Sequence, residues 1–328
     1  MPFVIARWGY SGHENVIVSI TDEGITGMGE AAPNKYYNES VASVISALER
    51  YAPVVEAAQS WSLAATEAAL LATLGGNASA RAAVSSALHD LHARKFGAPL
   101  HRLWGLDPKA APLSSYTIAI DDVDGLRARV KAAEQYPVLK IKLGTDRDTE
   151  IVRTVREAAP DKVLRVDANG AWSPEEAVLR SAMLRDNGVE SLEQPVAAAD
   201  IQGMRFVRER CGMPVIADES CLIATDIPRL AGTCDAINIK LAKCGSLREA
   251  VRMVHTARAH DLDVMAGCMI ETSLGISAIA QIAPLLDTAD FDGAALLAED
   301  PFEGVTIANG RVRLSDAPGL GAIRRPPA

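Results

Sequence analysis

Three acidic residues, Asp167, Glu193 and Asp218, follow one another at intervals of 26 and 25 residues. Each closes a short apolar run: Val163–Asp167, Ser191–Glu193 and Val215–Asp218. Brought together, three carboxylates would repel and raise one another's pKa, and a divalent cation removes that conflict. Oxygen ligands with no His or Cys among them favour Mg²⁺, with Mn²⁺ as a possible substitute. Three unrelated salt bridges or helix caps would also use such residues, but would not impose a common spacing. Twenty-five residues upstream of Asp167 lies Lys142, in the run Leu139-Lys140-Ile141-Lys142-Leu143. Period-2 alternation puts Lys140 and Lys142 on one face of a strand. A further run, Ala236–Lys240, ends in Lys240. Two lysines beside a metal suit proton removal from one face of a carbon and its return to the other. The cation would hold a substrate carboxylate and stabilise the enediolate. Together with Lys140 it would also lower the pKa of Lys142. Finally, Asp290-Phe291-Asp292 places two acids on one face of a strand. They form either a clamp for a substrate ammonium or a solvated acidic loop.

These residues need a scaffold that delivers strand ends to one place. From Ala111 onward, eight apolar runs alternate with amphipathic helical stretches. Besides those already named they are Leu113–Ile120, Val264–Ile270 and Ala289–Ala294. A strand, a helix and two short loops take about 25 residues, and eight such units make a (β/α)₈ barrel. The active site of such a barrel lies at the C-terminal strand ends, where the charges are. Strands 2 and 6 are then opposite each other, so Lys142 faces Lys240 across the mouth. Strand 8 lies opposite strand 4, away from the metal.

The first hundred residues follow a different pattern. Asn15–Ile20 and Ile25–Glu30 read as a hairpin about Asp22-Glu23-Gly24. Helices are expected at Glu39–Tyr51, Ser60–Leu74 and Ala78–Lys95, the last capped by Ser79. Gly27-Met-Gly29 reads as a feature of the strand rather than a phosphate loop. Pro99 and Gly105-Leu106-Asp107-Pro108 mark a domain boundary. The tail Leu320–Ala328, rich in Pro and Arg, is expected to be poorly ordered. Apolar residues make up 48 % and charged residues 23 %, as in globular proteins. The formal net charge of −9 with no basic stripe argues against nucleic-acid binding. No apolar run approaches a membrane span, and Met1-Pro2-Phe3-Val4-Ile5-Ala6-Arg7 does not read as a signal peptide. Five cysteines without a CxxC pair suit free thiols in the cytoplasm.

Taken together, Lys140-x-Lys142, Asp167-Ala-Asn169, Glu193-Gln-Pro195, Asp218-Glu-Ser220 and Asn238-Ile-Lys240 resemble the enolase superfamily, in its muconate-lactonizing subgroup. Three further stretches are similar to the dipeptide epimerases, typified by L-Ala-D/L-Glu epimerase. They are Gly267-Cys-Met-Ile-Glu271-Thr, Asp290-Phe-Asp292, and Gly76-Asn-Ala-Ser-Ala-Arg-Ala-Ala-Val84. The resemblance covers nearly the whole chain. It implies a modified TIM barrel over residues 109–308, covered by an α+β capping domain of residues 1–108 with segment 309–328 returning to it. It implies Asp167, Glu193 and Asp218 as Mg²⁺ ligands, Lys142 and Lys240 as acid/base catalysts, and Lys140 as a contact to the bound carboxylate. Asp290 and Asp292 would hold the α-ammonium of a dipeptide. Thr117 and Cys268, Met269 and Ile270 would line its site. The cap loop Arg7–His13 would close over the substrate side chain.

The chain departs from the family's pattern in two ways. Family members carry a further strand upstream, so either the start lies earlier or the cap sheet is one strand short. The family's cap-loop arginine falls one position away, with Trp8 at the matching place. Either Arg7 serves in a shifted loop or the preference has moved to another C-terminal residue. The implied reaction is inversion of the C-terminal residue's α-carbon in an L,L-dipeptide such as L-Ala-L-Glu. The alternatives are N-acylamino acid racemase, o-succinylbenzoate synthase and muconate cycloisomerase. All three act on substrates without a free ammonium, so Asp290 and Asp292 speak against them. Dehydration is disfavoured because no His follows strand 7. His255 and His260 read as surface residues, and Cys268 as pocket lining without a His–Asp partner. The family is often oligomeric, so a homo-oligomer is possible.

Overall fold

The second barrel strand, Val138–Lys142, is buried at every position, as expected of a strand enclosed on both sides. Leu139 and Ile141 face the surrounding helices, while Lys140 and Lys142 share the inner face. Seven others run parallel to it: Tyr116–Ile118, Val163–Asp167, Val189–Glu193, Val215–Ala217, Ala236–Ile239, Asp263–Gly267 and Thr288–Asp290. They pair in chain order. A parallel bridge between Ser114 and Ala289 brings the last strand back to the first and closes the barrel. The computed structural model describes residues 3–10 and 12–326, without the side chain of Tyr10.

Helix signals in the connections are ordinary ones. Ser173 and Glu176 form a capping box ahead of Pro174–Asp186, and Ser246 caps Leu247–Ala259. Asp200 opens Ile201–Cys211, and Gly212, at φ +68°, ends it. Several strands are shorter than their apolar runs. The first spans Tyr116–Ile118 and the last stops at Asp290, because beyond the ladder the chain turns into loops that form the mouth. The eighth unit also differs from expectation. A 3-10 turn, Gly293–Leu296, follows the eighth strand, and among the described residues the chain then continues in short strands without a further α-helix. The barrel is therefore of the modified type.

The cap holds the expected hairpin, Val16–Asp22 paired with Ile25–Ala31. Its two-residue turn, Glu23-Gly24, has positive φ at both positions. Helices follow at Val41–Ala57, Leu63–Thr73 and Ala78–Lys95. The first is longer than expected: it runs past Pro53, and Ser40 caps it with Ser43. Ser79 is not the cap of the third helix. Asn77 takes that position, and Ser79 is buried inside the first turn, where it bonds the Glu39 carboxylate.

The third helix lies between hairpin and barrel, rich in Ala and Ser, and buried on nearly every side. Its small side chains allow a very close approach by the hairpin. A Cβ on Gly27 would lie 2.1 Å from the Ala87 carbonyl oxygen, and one on Gly29 would lie 2.1 Å from that of Ala83. Gly27→Ala is therefore expected to destabilise the fold by about 1–3 kcal/mol through overpacking. Urea unfolding measures this, and an unchanged midpoint would contradict the packing.

Against expectation, the C-terminal segment packs onto the fold. Ile323–Arg324 pairs with Phe302–Glu303, and Leu320 and Ala322 are buried. Asp90 of the third cap helix explains this. Its carboxylate accepts from Leu320 N at 2.7 Å, Met28 N at 2.9 Å and Arg94 Nε at 2.9 Å. One buried acid thus joins helix, hairpin and tail. Pro327 and Ala328 of that expected tail lie outside the described residues, as do Met1 and Pro2 at the N-terminus and Ser11 of the expected cap loop Arg7–His13. Among the described residues, no helix is long and apolar enough to cross a membrane.

Candidate active site

The three acids arrive at one place because adjacent parallel strands deliver them. Asp167 and Glu193 are direct register partners, and Asp218 immediately follows the fifth strand. One carboxylate oxygen from each lies within 4.8 Å of the others, and all three residues are buried. Asn169, held by its own backbone N–H on Asp167 Oδ1 at 2.8 Å, orients the Asp167 carboxylate. Asn238 donates to Glu193 Oε1 at 2.8 Å and orients that carboxylate.

Lysines surround this cluster. Lys142 Nζ lies 2.6 Å from Asp167 Oδ2, and Lys240 Nζ lies 2.8 Å from Asp218 Oδ2. Their strands are four apart in an eight-stranded barrel, so they approach from opposite sides. Lys140 sits deeper, 2.8 Å from Glu193, 2.9 Å from Asp290 and 3.4 Å from Asp167. Burial alone would lower Lys140, but those carboxylates hold it well above the ordinary ammonium value. Lys240 is likewise raised, chiefly by Asp218 against the burial.

A fourth lysine was not singled out from sequence. Lys243, fully buried, donates to Asp218 Oδ1 at 2.5 Å and to the carbonyls of Asp218, Cys221 and Asn238. Its position three residues after Lys240, on a four-residue helical turn, carries no periodic signal. Burial would raise the Asp218 carboxyl, but Lys240, Lys243 and Lys140 outweigh it and hold it well below the usual range.

The lysines do not neutralise the whole site. Burial pushes Glu193 up to about 7 despite Lys140, with Asp167 and Asp218 adding to the rise. The Asn169 and Asn238 side-chain oxygens beside the clustered carboxylates are buried without partners. Excess negative charge on an all-oxygen donor set is what Mg²⁺ fits.

Across the cavity, Asp290 and Asp292 have different surroundings. Asp290 accepts from Lys140 and from Ser115 Oγ at 2.7 Å, and lies below its ordinary value, with Lys140 outweighing burial. Asp292, beyond the strand end, accepts from Thr117 N at 2.6 Å. Burial, then the neighbouring Asp290, pushes it up to about 7.

Thr117, Cys268, Met269 and Ile270 all border the same cavity, of about 90 Å³. Burial keeps the Cys268 thiol well above its ordinary pKa, which argues against a nucleophile. The loop that carries it is tied to the cap: Asn15 donates to Ile270 O and to Glu30. Glu30 in turn accepts from Thr272 N and Gly275 N at the start of helix Ser273–Ala280.

Arg7 also reaches the cavity. It pairs with Glu219 Oε1 at 2.9 Å, bonds the Asn169 carbonyl and lies 4.0 Å over the Tyr36 ring. His255 is exposed on an outer helix. A larger cavity, about 1090 Å³, lies between the second cap helix and the helix after the sixth strand, lined by Leu71, Trp104 and Arg248 among others. None of the metal-site or lysine residues above borders it.

This barrel, with acids on strands 3 to 5 and lysines on strands 2 and 6, is matched by known proteins. The family described as "Enolase C-terminal domain-like" matches residues 125–324, and "Mandelate racemase / muconate lactonizing enzyme, N-terminal domain" matches residues 1–105. The chain belongs to the enolase superfamily, in its mandelate racemase/muconate lactonizing enzyme family. It is 41 % identical to an L-Ala-D/L-amino acid epimerase of Maribacter sp., over 93 % of this chain and 90 % of that one. Among solved structures, the L-Ala-D/L-Glu epimerase of Bacillus subtilis, in a substrate-liganded complex, superposes with a TM-score of 0.94. Its identity is 32 %, covering 99 % of this chain and 95 % of that one. A dipeptide epimerase of Cytophaga hutchinsonii, complexed with Mg and D-Ala-L-Val, gives a TM-score of 0.94 at 28 % identity, covering 99 % and 92 %. The resemblance read from the motifs is thus borne out.

Proposed function

We propose that the protein is a Mg²⁺-dependent dipeptide epimerase, an isomerase that inverts the α-carbon of the C-terminal residue. The observation that carries this is the pair of buried lysines, Lys142 and Lys240, on either side of the Asp167–Glu193–Asp218 cluster. Relatives named as dipeptide epimerases, over nine-tenths of their length, support it.

Asp167, Glu193 and Asp218 would hold Mg²⁺, which when bound would neutralise the substrate carboxylate and favour the negative charge that develops as the α-proton leaves. The lysines carry the proton. One, as a neutral amine, takes the α-proton at Nζ. The other, as an ammonium, delivers a proton to the opposite face, and the centre is inverted. In the reverse direction the two exchange roles. Lys140, locked by its three carboxylates, supports the floor of the site and meets the substrate carboxylate as a fixed positive charge. Asp290 and Asp292 receive the dipeptide's ammonium. Because Lys140 and Ser115 already engage Asp290, Asp292 carries more of that contact. Thr117 N positions its carboxylate, while Cys268, Met269 and Ile270 form the adjoining wall.

Residues 1–108 with 309–328 serve as the cap and 109–308 as the barrel, a division that the Asp90 contacts to hairpin and tail support. Five free cysteines suit a cytoplasmic setting. A homo-oligomer fits the family's habit.

Proton NMR in D₂O with Mg²⁺ tests the reading. L,L-dipeptides, including L-Ala-L-Glu, should lose the C-terminal α-proton signal and yield the L,D diastereomer. N-acetylated controls should not, and exchange confined to those controls would point to an acylamino acid racemase.

Asp292→Asn should raise KM for dipeptides by about 10–100-fold, the loss of a charge-assisted contact, and leave unchanged the inhibition constant of an N-acetylated dipeptide used as a competitor. Equal losses on both would remove the clamp. The acid must be ionised to attract the ammonium. Dipeptide kcat/KM should therefore fall as pH drops through about 7, where Asp292 takes up a proton. A profile flat from pH 8 to 6 would count against this role.

A further inference from the structure

The side chain of the residue being inverted has one direction open to it. In the dipeptide reading, the α-carbon sits between Lys142 and Lys240, its carboxylate lies toward the acid cluster, and the peptide nitrogen runs toward Asp292. The floor is filled by Lys140 and its carboxylates. The remaining substituent points up into the cap.

What the cap offers there is mostly apolar: Phe3, Ile5, Trp8 and Tyr36, flanked by Ile270 and Leu296 from barrel loops. Its cationic group at the cavity is Arg7, and Arg7 is already engaged. Glu219, 4 % exposed in its side chain, takes one guanidinium nitrogen, the Asn169 carbonyl takes another, and Tyr36 covers the face. Glu219 also accepts from Asn169 Nδ2 at 3.3 Å, but that amide is uncharged, and the second Glu219 oxygen is buried without a partner, so the arginine supplies the ion pair that the carboxylate has. His13, also at the cavity, is held below its ordinary value by burial, which disfavours a positive charge there. An anionic substrate side chain would therefore enter beside a buried carboxylate and compete with it for one guanidinium. Burying a charge without its own partner is strongly disfavoured, whereas an apolar group gains from the same surroundings.

We propose that this subsite selects an apolar residue, aliphatic or aromatic, at the C-terminal position of the dipeptide. Arg7 acts as a strut that fastens the cap loop to Glu219 rather than as a reader of a glutamate side chain. The proposal rests on the dipeptide reading and extends it to a substrate class.

The test measures exchange and inversion in D₂O with Mg²⁺ on L-Ala-L-Leu, L-Ala-L-Phe and L-Ala-L-Glu, for the unaltered protein and for Arg7→Met. In the unaltered protein, kcat/KM for the Leu or Phe dipeptide should exceed that for L-Ala-L-Glu by at least about tenfold. Arg7→Met should lower all three by a similar factor and leave their ratio unchanged. A preference for L-Ala-L-Glu, or a loss in Arg7→Met confined to that substrate, overturns the proposal. The ratio in the unaltered protein decides the substrate class even if Arg7→Met does not fold. Absence of exchange on every dipeptide would instead overturn the epimerase reading itself, and the proposal with it.

Discussion

Replacing either Lys142 or Lys240 by alanine is expected to end inversion, with turnover lower by at least about a thousandfold, while Mg²⁺ still binds. General acid–base groups contribute about 10²–10⁴-fold to a rate. In the proposed reaction each lysine carries the proton on its own face, and their strands are opposite each other in the barrel. Loss of one leaves the other able to take a proton and put it back on the same side. Each variant should therefore retain at most exchange without inversion, and on one diastereomer only. The two variants should be complementary, each sparing the diastereomer that the other loses. Separate D₂O exchange on L,L- and L,D-dipeptides, with Mg²⁺ titration by calorimetry, measures this. Persistent inversion in either variant would mean that a different group carries the second proton.

Asp218→Asn is expected to remove Mg²⁺ binding and also to weaken the fold by about 3–5 kcal/mol, the cost of leaving a buried charge without its partner. Two buried lysines depend on this one carboxylate: Lys240 at 2.8 Å and Lys243 at 2.5 Å. An asparagine keeps the shape but not the charge. The double variant Asp218→Asn/Lys243→Met should recover part of the stability, since it removes one stranded ammonium. It should not recover metal binding. Recovery stays partial because three carbonyls each lose the donor that Lys243 supplied, although Asp218 O keeps Cys221 N. Denaturant unfolding and calorimetric Mg²⁺ titration report the two effects separately. An unaltered midpoint in Asp218→Asn would show that Lys240 and Lys243 do not rely on it for charge balance.

The spacing of charged residues made the site legible in advance, because a βα unit has a nearly constant length and the barrel gathers its strand ends. That logic located Asp167, Glu193, Asp218, Lys142 and Lys240 without any tertiary information. It located Lys140 as well, since alternation along a buried strand leaves an inward lysine no other direction.

Groups outside that repeat were not legible. Lys243 lies on a helical turn where an exposed lysine would look the same. Glu30 comes from the cap hairpin and caps a barrel helix across 242 residues of chain. The packing of the tail depends on Asp90, an acid in the middle of a helix that sequence alone would leave on the surface. The differing surroundings of Asp290 and Asp292 likewise come from Lys140, Ser115 and Thr117 on other strands.

The amino-acid order by itself thus determined the barrel, the three acids that cluster at its mouth and the two lysines that flank them, since each is written in local periodicity and a repeated interval. Only the tertiary structure decided which partner each charge takes: Arg7 with Glu219, Asp218 with two lysines, Asp290 with Lys140. Such pairings depend on distances between segments far apart in the chain, and no local pattern encodes them.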